Sequence, residues 1–428
     1  MELKQQYIIP DQTSIYKKEL PLINLFWIGV IVYTLAFAAI KGFPSYAERL
    51  QLVQIISMLV CIPAGMGLIR FRIGNNYLKF FYIIYCAWTV YVVLRGISFS
   101  YDEFKKSVSD ADYGLLIYFV PVVVLFPKDI VYLKKIFKVI IFLGVFFVLY
   151  CFYFHTPLLN PEDDDSLTGQ GLIEVFSRAL ALPCGFILLT YIYHSPKRRY
   201  LALFIIVLGL LLALIRARRG LVFFQTSFLL IWLILFFSIN KRRLLSVAFS
   251  LLMIAMIFFL GFNLYNGNKP RLLNRITERI DEDTRSGVEE CFFDDMKTRD
   301  WLIGRGMNGK YLCPGVDNGI FTDYREVIET GYLNIILKEG VIGLGLLLLI
   351  TLPASIKGIF FSKNLLSRAA GIWILIWLIG LYPATLNNFN LNYLLVWISV
   401  GICYSKGIRD MSEEQVKDLL SPIIPHSF

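Results

Sequence analysis

Residues 214–220 read Leu214-Ile215-Arg216-Ala217-Arg218-Arg219-Gly220, and an unbroken apolar stretch meets them on each side. A bilayer crossing takes about 20 mostly apolar residues. The flanks, 200–215 and 220–239, have that character, so the three arginines mark a membrane boundary. The whole chain repeats the theme. Of its 428 residues 57% are hydrophobic and 17% charged, against roughly 25% charged in a soluble domain. Mean hydropathy is +0.63. These values point to an all-α, polytopic helical bundle in a membrane. A β-barrel would alternate in hydrophobicity over segments of about 10 residues, and this chain does not.

Twelve apolar segments are expected to span, at 22–40, 51–69, 78–95, 114–127, 136–154, 172–193, 200–215, 220–239, 244–265, 332–352, 369–387 and 390–405. Alternate loops differ in charge. One set holds Arg70, Arg72 and Lys79; Lys128, Lys134, Lys135 and Lys138; Lys197, Arg198 and Arg199; Lys241, Arg242 and Arg243; Lys357, Lys363 and Arg368. The other holds Lys41 and Arg49, a balanced loop, and the acidic run Glu162-Asp163-Asp164-Asp165. By the positive-inside rule the first set is cytoplasmic. Both termini are then inside, and Arg216, Arg218 and Arg219 fall on the outer face, against the rule. The formal net charge of +10 reads as orientation against anionic lipid and not as nucleic-acid binding. No cleavable signal peptide is expected at the N-terminus.

The domain plan is a nine-span bundle over 1–265, an outer loop over 266–330, three last spans over 331–405 and a cytoplasmic tail over 406–428. The loop holds 10 Lys+Arg and 13 Asp+Glu, which suits a folded, partly helical lid. Pro270 can open a helix with Leu272, Leu273, Ile276 and Ile280 on one face. Ser286 with Glu289 forms a capping-box pattern for a second, with Val288, Phe292, Phe293 and Met296 as its apolar side. Asp323 with Glu326 suggests a third, running through Glu329 into the next span. Cys291 and Cys313 both lie in the loop and could pair in an oxidising compartment. The other five cysteines, Cys61, Cys86, Cys151, Cys184 and Cys403, read as small core residues.

Arginine stays charged and pairs bidentately with phosphate. Arg216, Arg218 and Arg219 can therefore hold a diphosphate at the interface, or simply snorkel to headgroups. Arg178 lies early in its span, one turn after Glu174. It is either a second phosphate contact or half of an i,i+4 pair. Arg285 can close over a bound diphosphate from the lid, or stay solvated and balanced by Asp281 and Asp283. Glu329 and Arg325 stand one turn apart on the expected third helix, and Glu329 can act as a general base or pair with Arg325. Gly304-Arg305-Gly306-Met307-Asn308-Gly309 fits the dinucleotide-binding spacing, but without the strand, helix and downstream acid that give the motif its chemistry; it reads as a turn in the lid. His155 and His194 have no partners at metal-ligand spacing, so no metal and no cofactor is expected.

Three stretches carry a resemblance: Asp283-Thr284-Arg285-Ser286-Gly287, Trp301-Leu302-Ile303-Gly304-Arg305-Gly306, and Glu329-Thr330-Gly331-Tyr332 running on to Gly343. With Arg219-Gly220 after an apolar run, they make the chain resemble the O-antigen ligase and O-antigen polymerase superfamily, most clearly over 200–345. The resemblance implies a GT-C-like, metal-independent membrane glycosyltransferase of the bacterial inner membrane. Its donor would be an undecaprenyl-diphosphate-linked glycan at the periplasmic face. Its partners would be a glycan acceptor, membrane lipids and, for a polymerase, a chain-length regulator protein. It implies Arg219, and less directly Arg285, as diphosphate ligands. Ligases of this family carry a catalytic histidine near the end of the loop. This chain has Glu329 there and no histidine between His194 and His426. That departure favours a polymerase of O-antigen, capsule or exopolysaccharide repeats over a ligase. A transporter of the lipid-linked glycan is the rival of another class.

Overall fold

A computed structural model describes residues 12–71, 73–96, 100, 110, 114–127, 130–159, 166–239, 286–314, 323–385 and 388–420. In chain order the helices are α1 (Gln12–Gly42), α2 (Ala47–Leu68), α3 (Asn76–Gly96), α4 (Leu116–Phe119, continued by a 3-10 segment Val120–Leu125), α5 (Ile130–Tyr153), α6 (His155–Leu159), α7 (Ser166–Phe176) and α8 (Cys184–Leu189). There follow α9 (Pro196–Ile215), α10 (Arg219–Ile239), the lid helices α11 (Ser286–Asp295) and α12 (Thr298–Ile303), then α13 (Gly331–Phe360), α14 (Leu365–Gly380), α15 (Leu391–Tyr404), α16 (Lys406–Asp410) and α17 (Glu413–Leu420).

The architecture is an all-α polytopic membrane bundle. Among the described residues, eight helices are long and apolar enough to cross a membrane. The expected segments at 114–127, 369–387 and 390–405 are instead the shorter apolar helices Leu116–Leu125, Leu365–Gly380 and Leu391–Tyr404. At 1.5 Å per residue, α14 reaches only about 24 Å, short of a ~30 Å hydrocarbon core. Buried asparagine caps set these starts. Asn364 Oδ1 accepts from Ser367 N at 2.9 Å, and Asn390 Oδ1 from Tyr393 N at 3.1 Å. Each cap satisfies an orphan helix N–H and holds a polar turn inside the bundle. The expected span 244–265, the expected lid helix after Pro270 and Arg285 lie outside the described residues.

The turns gather at two ends. At the basic end lie the turns after α2, α8 and α13, with Arg70, Arg198, Arg199, Lys363 and Arg368. At the lid end lie the turns after α1, α5, α9 and α14, together with the lid. The window Gly169–Leu189 is 83% buried and the window Asn76–Gly96 28%. The helix carrying Arg178 is therefore central, and α3 is peripheral, with Phe80, Ile83 and Leu94 exposed along it.

The lid has its own small core. Val288 and Phe292 of α11, with Met296 just after it, pack with Tyr311, Cys313 and Ile328, and onto Ile336 and Leu337 of α13. Phe293, expected on that apolar side, is 49% exposed. Cys291 and Cys313 form a disulfide. Beyond them β1 (Tyr311–Leu312) pairs antiparallel with β2 (Tyr324–Arg325), Tyr311 opposite Arg325. This corrects the expected third helix. The capping pattern at Asp323 loses to a cross-chain ladder, with Cys313 N–H donating to Asp323 O at 2.7 Å and the Tyr311 hydroxyl to Val327 O at 3.1 Å. The helix begins only at Gly331. Arg325 and Glu329 therefore share no helical face.

Gly304-Arg305-Gly306 is a turn, and it docks the lid. Gly340 has a φ of 72° and breaks α13 into residues 331–339 and 341–360. The break frees carbonyls that cannot stay open inside an apolar bundle. Arg305 N takes Leu337 O at 2.7 Å and Gly306 N takes Lys338 O at 3.0 Å. Trp88 Nε1 takes Glu339 O at 2.9 Å. Arg95 of α3 clamps the other side of the turn, donating to Ile303 O and Gly304 O, each at 2.9 Å. The Arg305 guanidinium is consumed within the lid by Asp295, Asp300 and the Lys310 carbonyl. Burial works to raise the Asp295 carboxyl, but its bonds from Arg305 and from the Leu312 amide win and hold it below the usual carboxylate range.

A Cβ on Gly340 would stand 2.2 Å from Leu302 O, whereas one on Gly345 meets nothing within 4 Å. Gly340→Ala should therefore loosen the lid at a cost of a few kcal/mol, combining strained φ with overpacking. Limited proteolysis within 286–314 should accelerate at least tenfold in Gly340→Ala and stay at the wild-type rate in Gly345→Ala.

Candidate functional site

The arginine turn is a Schellman-type helix stop. Ala217 N–H donates to Leu214 O at 3.1 Å and Arg218 N–H to Ala213 O at 2.9 Å, the two bonds that satisfy the last carbonyls of α9. The pattern needs a left-handed residue, and Ala217 supplies it with a φ of 51°; it is the one non-glycine residue with positive φ among those described. A left-handed alanine costs about 1–2 kcal/mol. The reversal makes the three arginines diverge.

Arg216 points inward. It is 4% exposed, and its Nε donates to Leu158 O at 3.1 Å. A Cβ on Gly169 would lie 2.4 Å from Arg216 Nη2, so α7 leaves room for the guanidinium only by having a glycine there. Arg218 points sideways along α7. Its Nη2 donates to Gln170 Oε1 at 3.1 Å, and its Nη1 lies 3.5 Å from Glu174 Oε2. Its Nε is buried without a hydrogen-bond partner among the described residues. Arg219 opens α10, is exposed, and has no ion pair among the described residues.

Arg178 comes from the next break. Residues Ser177–Ala181 form a π turn, with Leu182 N–H donating to Ser177 O at 2.9 Å. Such bulges often sit at functional sites. Arg178 Nη2 pairs with Glu174 Oε1 at 2.5 Å, so the expected i,i+4 pair is present. Its Nη1 donates to Thr385 O at 3.0 Å, and Asn392 Nδ2 donates to its carbonyl. The Glu174 carboxylate thus joins Arg178 and Arg218, which belong to different elements.

Glu329 is exposed at the lid's return to the bundle and Arg325 is half-buried in β2. Thr385 ties this segment to the arginines. Its hydroxyl donates to Glu329 O at 3.3 Å and lies 3.4 Å from Ile328 O, while its carbonyl accepts from Arg178. Close approach of small residues permits the convergence. A Cβ on Gly220 would lie 3.2 Å from Ala384 Cβ, and one on Gly331 2.8 Å from Ala384 O. Below Arg178 lies a narrow cleft with an internal volume of about 20 Å³. Its polar edge is Arg178, Asn388, Asn390 and Asn392; its walls include Phe224, Phe228, Trp373 and Trp377. Phe228 and Trp373 stack at 4.9 Å.

Of the expected site residues, Glu174 joins Arg178 and Arg218, Thr385 bridges Arg178 to the backbone at Glu329, Arg219 is exposed beside Arg218, and Arg216 turns into the protein. The asparagine edge went unread in the sequence, although Asn388, Asn390 and Asn392 alternate within an otherwise apolar stretch. His194 is buried against Thr190, with Nε2 to Oγ1 at 2.9 Å, and His155 lies at the other end against Phe152 O. Compared with protein-family models, with curated proteins and with solved structures, the chain shows no match.

Two outcomes follow for the turn. Arg216→Ala strands the Leu158 carbonyl in a buried site and should destabilise by about 1–3 kcal/mol, while Arg219→Ala leaves the melting temperature unchanged. Ala217→Gly relieves the left-handed alanine and should stabilise by ~1 kcal/mol. Thermal unfolding of the three variants in one detergent checks both.

Proposed function

We propose that the protein is a membrane glycosyltransferase that polymerises lipid-linked oligosaccharide repeats, with an undecaprenyl-diphosphate glycan as donor. The observation that carries this is the junction of two separate segments at one carboxylate: Glu174 joins Arg178 of the π turn to Arg218 of the α9–α10 reversal, Arg219 is the next residue, and Arg178 lines an aromatic-walled cleft. That pattern suits an amphiphile with an anionic head and a long apolar tail. The phosphates would face the arginines and the first isoprene units would lie against Phe228 and Trp373. A disulfide in the lid suits an oxidising compartment, in keeping with a lid on the outer face and the basic end in the cytoplasm.

In this reading the arginines stabilise the charge that grows on the departing diphosphate. The acceptor hydroxyl attacks the anomeric carbon on the face opposite the diphosphate. The new C–O bond forms as the bond to the phosphate oxygen breaks, with inversion, and the hydroxyl proton passes to Glu329. The lid confines the acceptor sugar above the cleft. Arg285 is the lid's proposed contribution to the same anion, and Arg325 in β2 a further proposed substrate contact. Transfer onto another lipid acceptor would make the same chemistry a ligase.

One observation favours a transporter of the same glycan: helices interrupted at Ser177–Ala181 and at Gly340 are the sort of breaks that line transport sites. Reconstitution separates the readings. Vesicles holding the purified protein and a fluorescent lipid-linked oligosaccharide should yield lengthened lipid-linked glycan. Arg219→Ala and Arg178→Ala should each lower the rate by about 10²–10³-fold, and Glu329→Gln by at least ~10²-fold. Movement of unaltered glycan across the bilayer, with no new product, overturns the enzyme in favour of the carrier.

A further inference from the structure

Glu174 stands where a substrate phosphate would stand. Its two carboxylate oxygens address two guanidiniums, Oε1 to Arg178 at 2.5 Å and Oε2 to Arg218 at 3.5 Å. These arginines come from unrelated breaks in the fold, the π turn and the α9–α10 reversal. Their side chains are 19% and 31% exposed. Two partly desolvated like charges repel, and nothing in the helix geometry of α7 alone brings Arg218 to Glu174. Other groups already fix the arginines independently of the carboxylate. Gln170 holds Arg218 Nη2, and the Thr385 carbonyl holds Arg178 Nη1. Arg218 Nε remains an unused buried donor. The frame is thus larger than its present occupant. It has donors that a two-oxygen, singly charged carboxylate does not satisfy and that a group with more oxygens and more charge could.

We propose that Glu174 is a resident counter-anion of the diphosphate site: it balances the charge of Arg178 and Arg218 in the free protein and is displaced by the incoming diphosphate. This rests on the anion-site reading above and adds a determinant of selectivity to it. Displacement costs the two ion pairs Glu174 makes, so only a ligand that repays both guanidiniums binds. A diphosphate can bridge them and also reach Arg219, which has no competing ion pair among the described residues. A monophosphate or a lipid carboxylate replaces Glu174 with little gain. Glu174 is therefore a positioning residue that sets a threshold of charge; it is not a catalytic residue.

The test uses the full-length protein in detergent and three probes: farnesyl diphosphate, farnesyl monophosphate and farnesol, titrated calorimetrically at fixed salt. Wild type should prefer the diphosphate. Glu174→Gln keeps the size and one hydrogen-bonding oxygen but removes the competing charge. It should bind the diphosphate about tenfold more tightly, equivalent to ~1.4 kcal/mol, and the monophosphate by a larger factor, so that the diphosphate-to-monophosphate ratio falls. Glu174→Asp keeps the charge on a stem too short to span both guanidiniums and should fall between the two. A residue that merely props up α7 would lower the melting temperature without moving that ratio. Weaker or unchanged diphosphate binding in Glu174→Gln, with wild type still preferring diphosphate to farnesol, overturns the proposal and leaves the site reading intact. If wild type and both variants bind farnesyl diphosphate no better than farnesol, the site reading falls and the proposal with it.

Discussion

A backbone carbonyl cannot be left open inside an apolar bundle. Each unpaired group costs on the order of several kcal/mol where water cannot reach it. At the lid end the helix ladder is broken in three places: the π turn at Ser177–Ala181, the reversal at Arg216–Arg218 and the kink at Gly340. The π turn and the kink have each recruited donors from elsewhere in the chain, and the reversal caps itself. Asn392 serves the Arg178 carbonyl. Trp88, Arg305 N and Gly306 N serve carbonyls 339, 337 and 338. Arg216 reaches past its own turn to the Leu158 carbonyl. The lid is docked and the cleft is edged with amides because these debts are met there and not by water.

The same constraint sorts the arginines. A guanidinium taken up by chain carbonyls or buried carboxylates is architecture, as at Arg95, Arg216 and Arg305. A guanidinium facing solvent at a helix start, as at Arg219, has no ion pair among the described residues and is the proposed ligand contact. Arg178 and Arg218 are intermediate, each held by one neutral acceptor and sharing one acid. Residue type and membrane boundary, both readable in the sequence, do not distinguish these cases. The acceptors do, and they come from distant parts of the chain.

Hydropathy located the eight long helices, because a window of about 20 residues sums burial over a whole crossing. For the same reason it was blind to breaks inside a crossing, so the π turn and the kink did not emerge, and α14 and α15 read as full spans. The helix at Ser286 was legible because its cap and its apolar side at Val288, Phe292 and Met296 are local signals. The pairing of Cys291 with Cys313 was legible as an option because both fall in one polar loop. The helix expected after Asp323 failed where a long-range ladder to Tyr311 and Leu312 outweighed a local cap. Arg178 and Arg218 were legible as candidate phosphate contacts, and the structure joins them through Glu174. Their geometry was not legible, since Gln170, Glu174, Thr385 and Asn392 give no separate signal of being neighbours.

Thr385 is where lid and bundle meet most closely. Its carbonyl accepts from Arg178, and its hydroxyl donates to the backbone at Glu329. One residue therefore sets the spacing between a proposed diphosphate ligand and the proposed base. That spacing is held in turn by Gly220 and Gly331 packing on Ala384, where side chains would force the elements apart. Inverting transfer needs a leaving-group site and a base on opposite sides of one carbon, held to within fractions of an ångström. A turn pinned from three directions by small residues can hold such a distance; a lid tethered only by its own loop could not. The closeness of Gly220, Gly331 and Ala384 is thus as much a part of the proposed chemistry as the charged groups themselves.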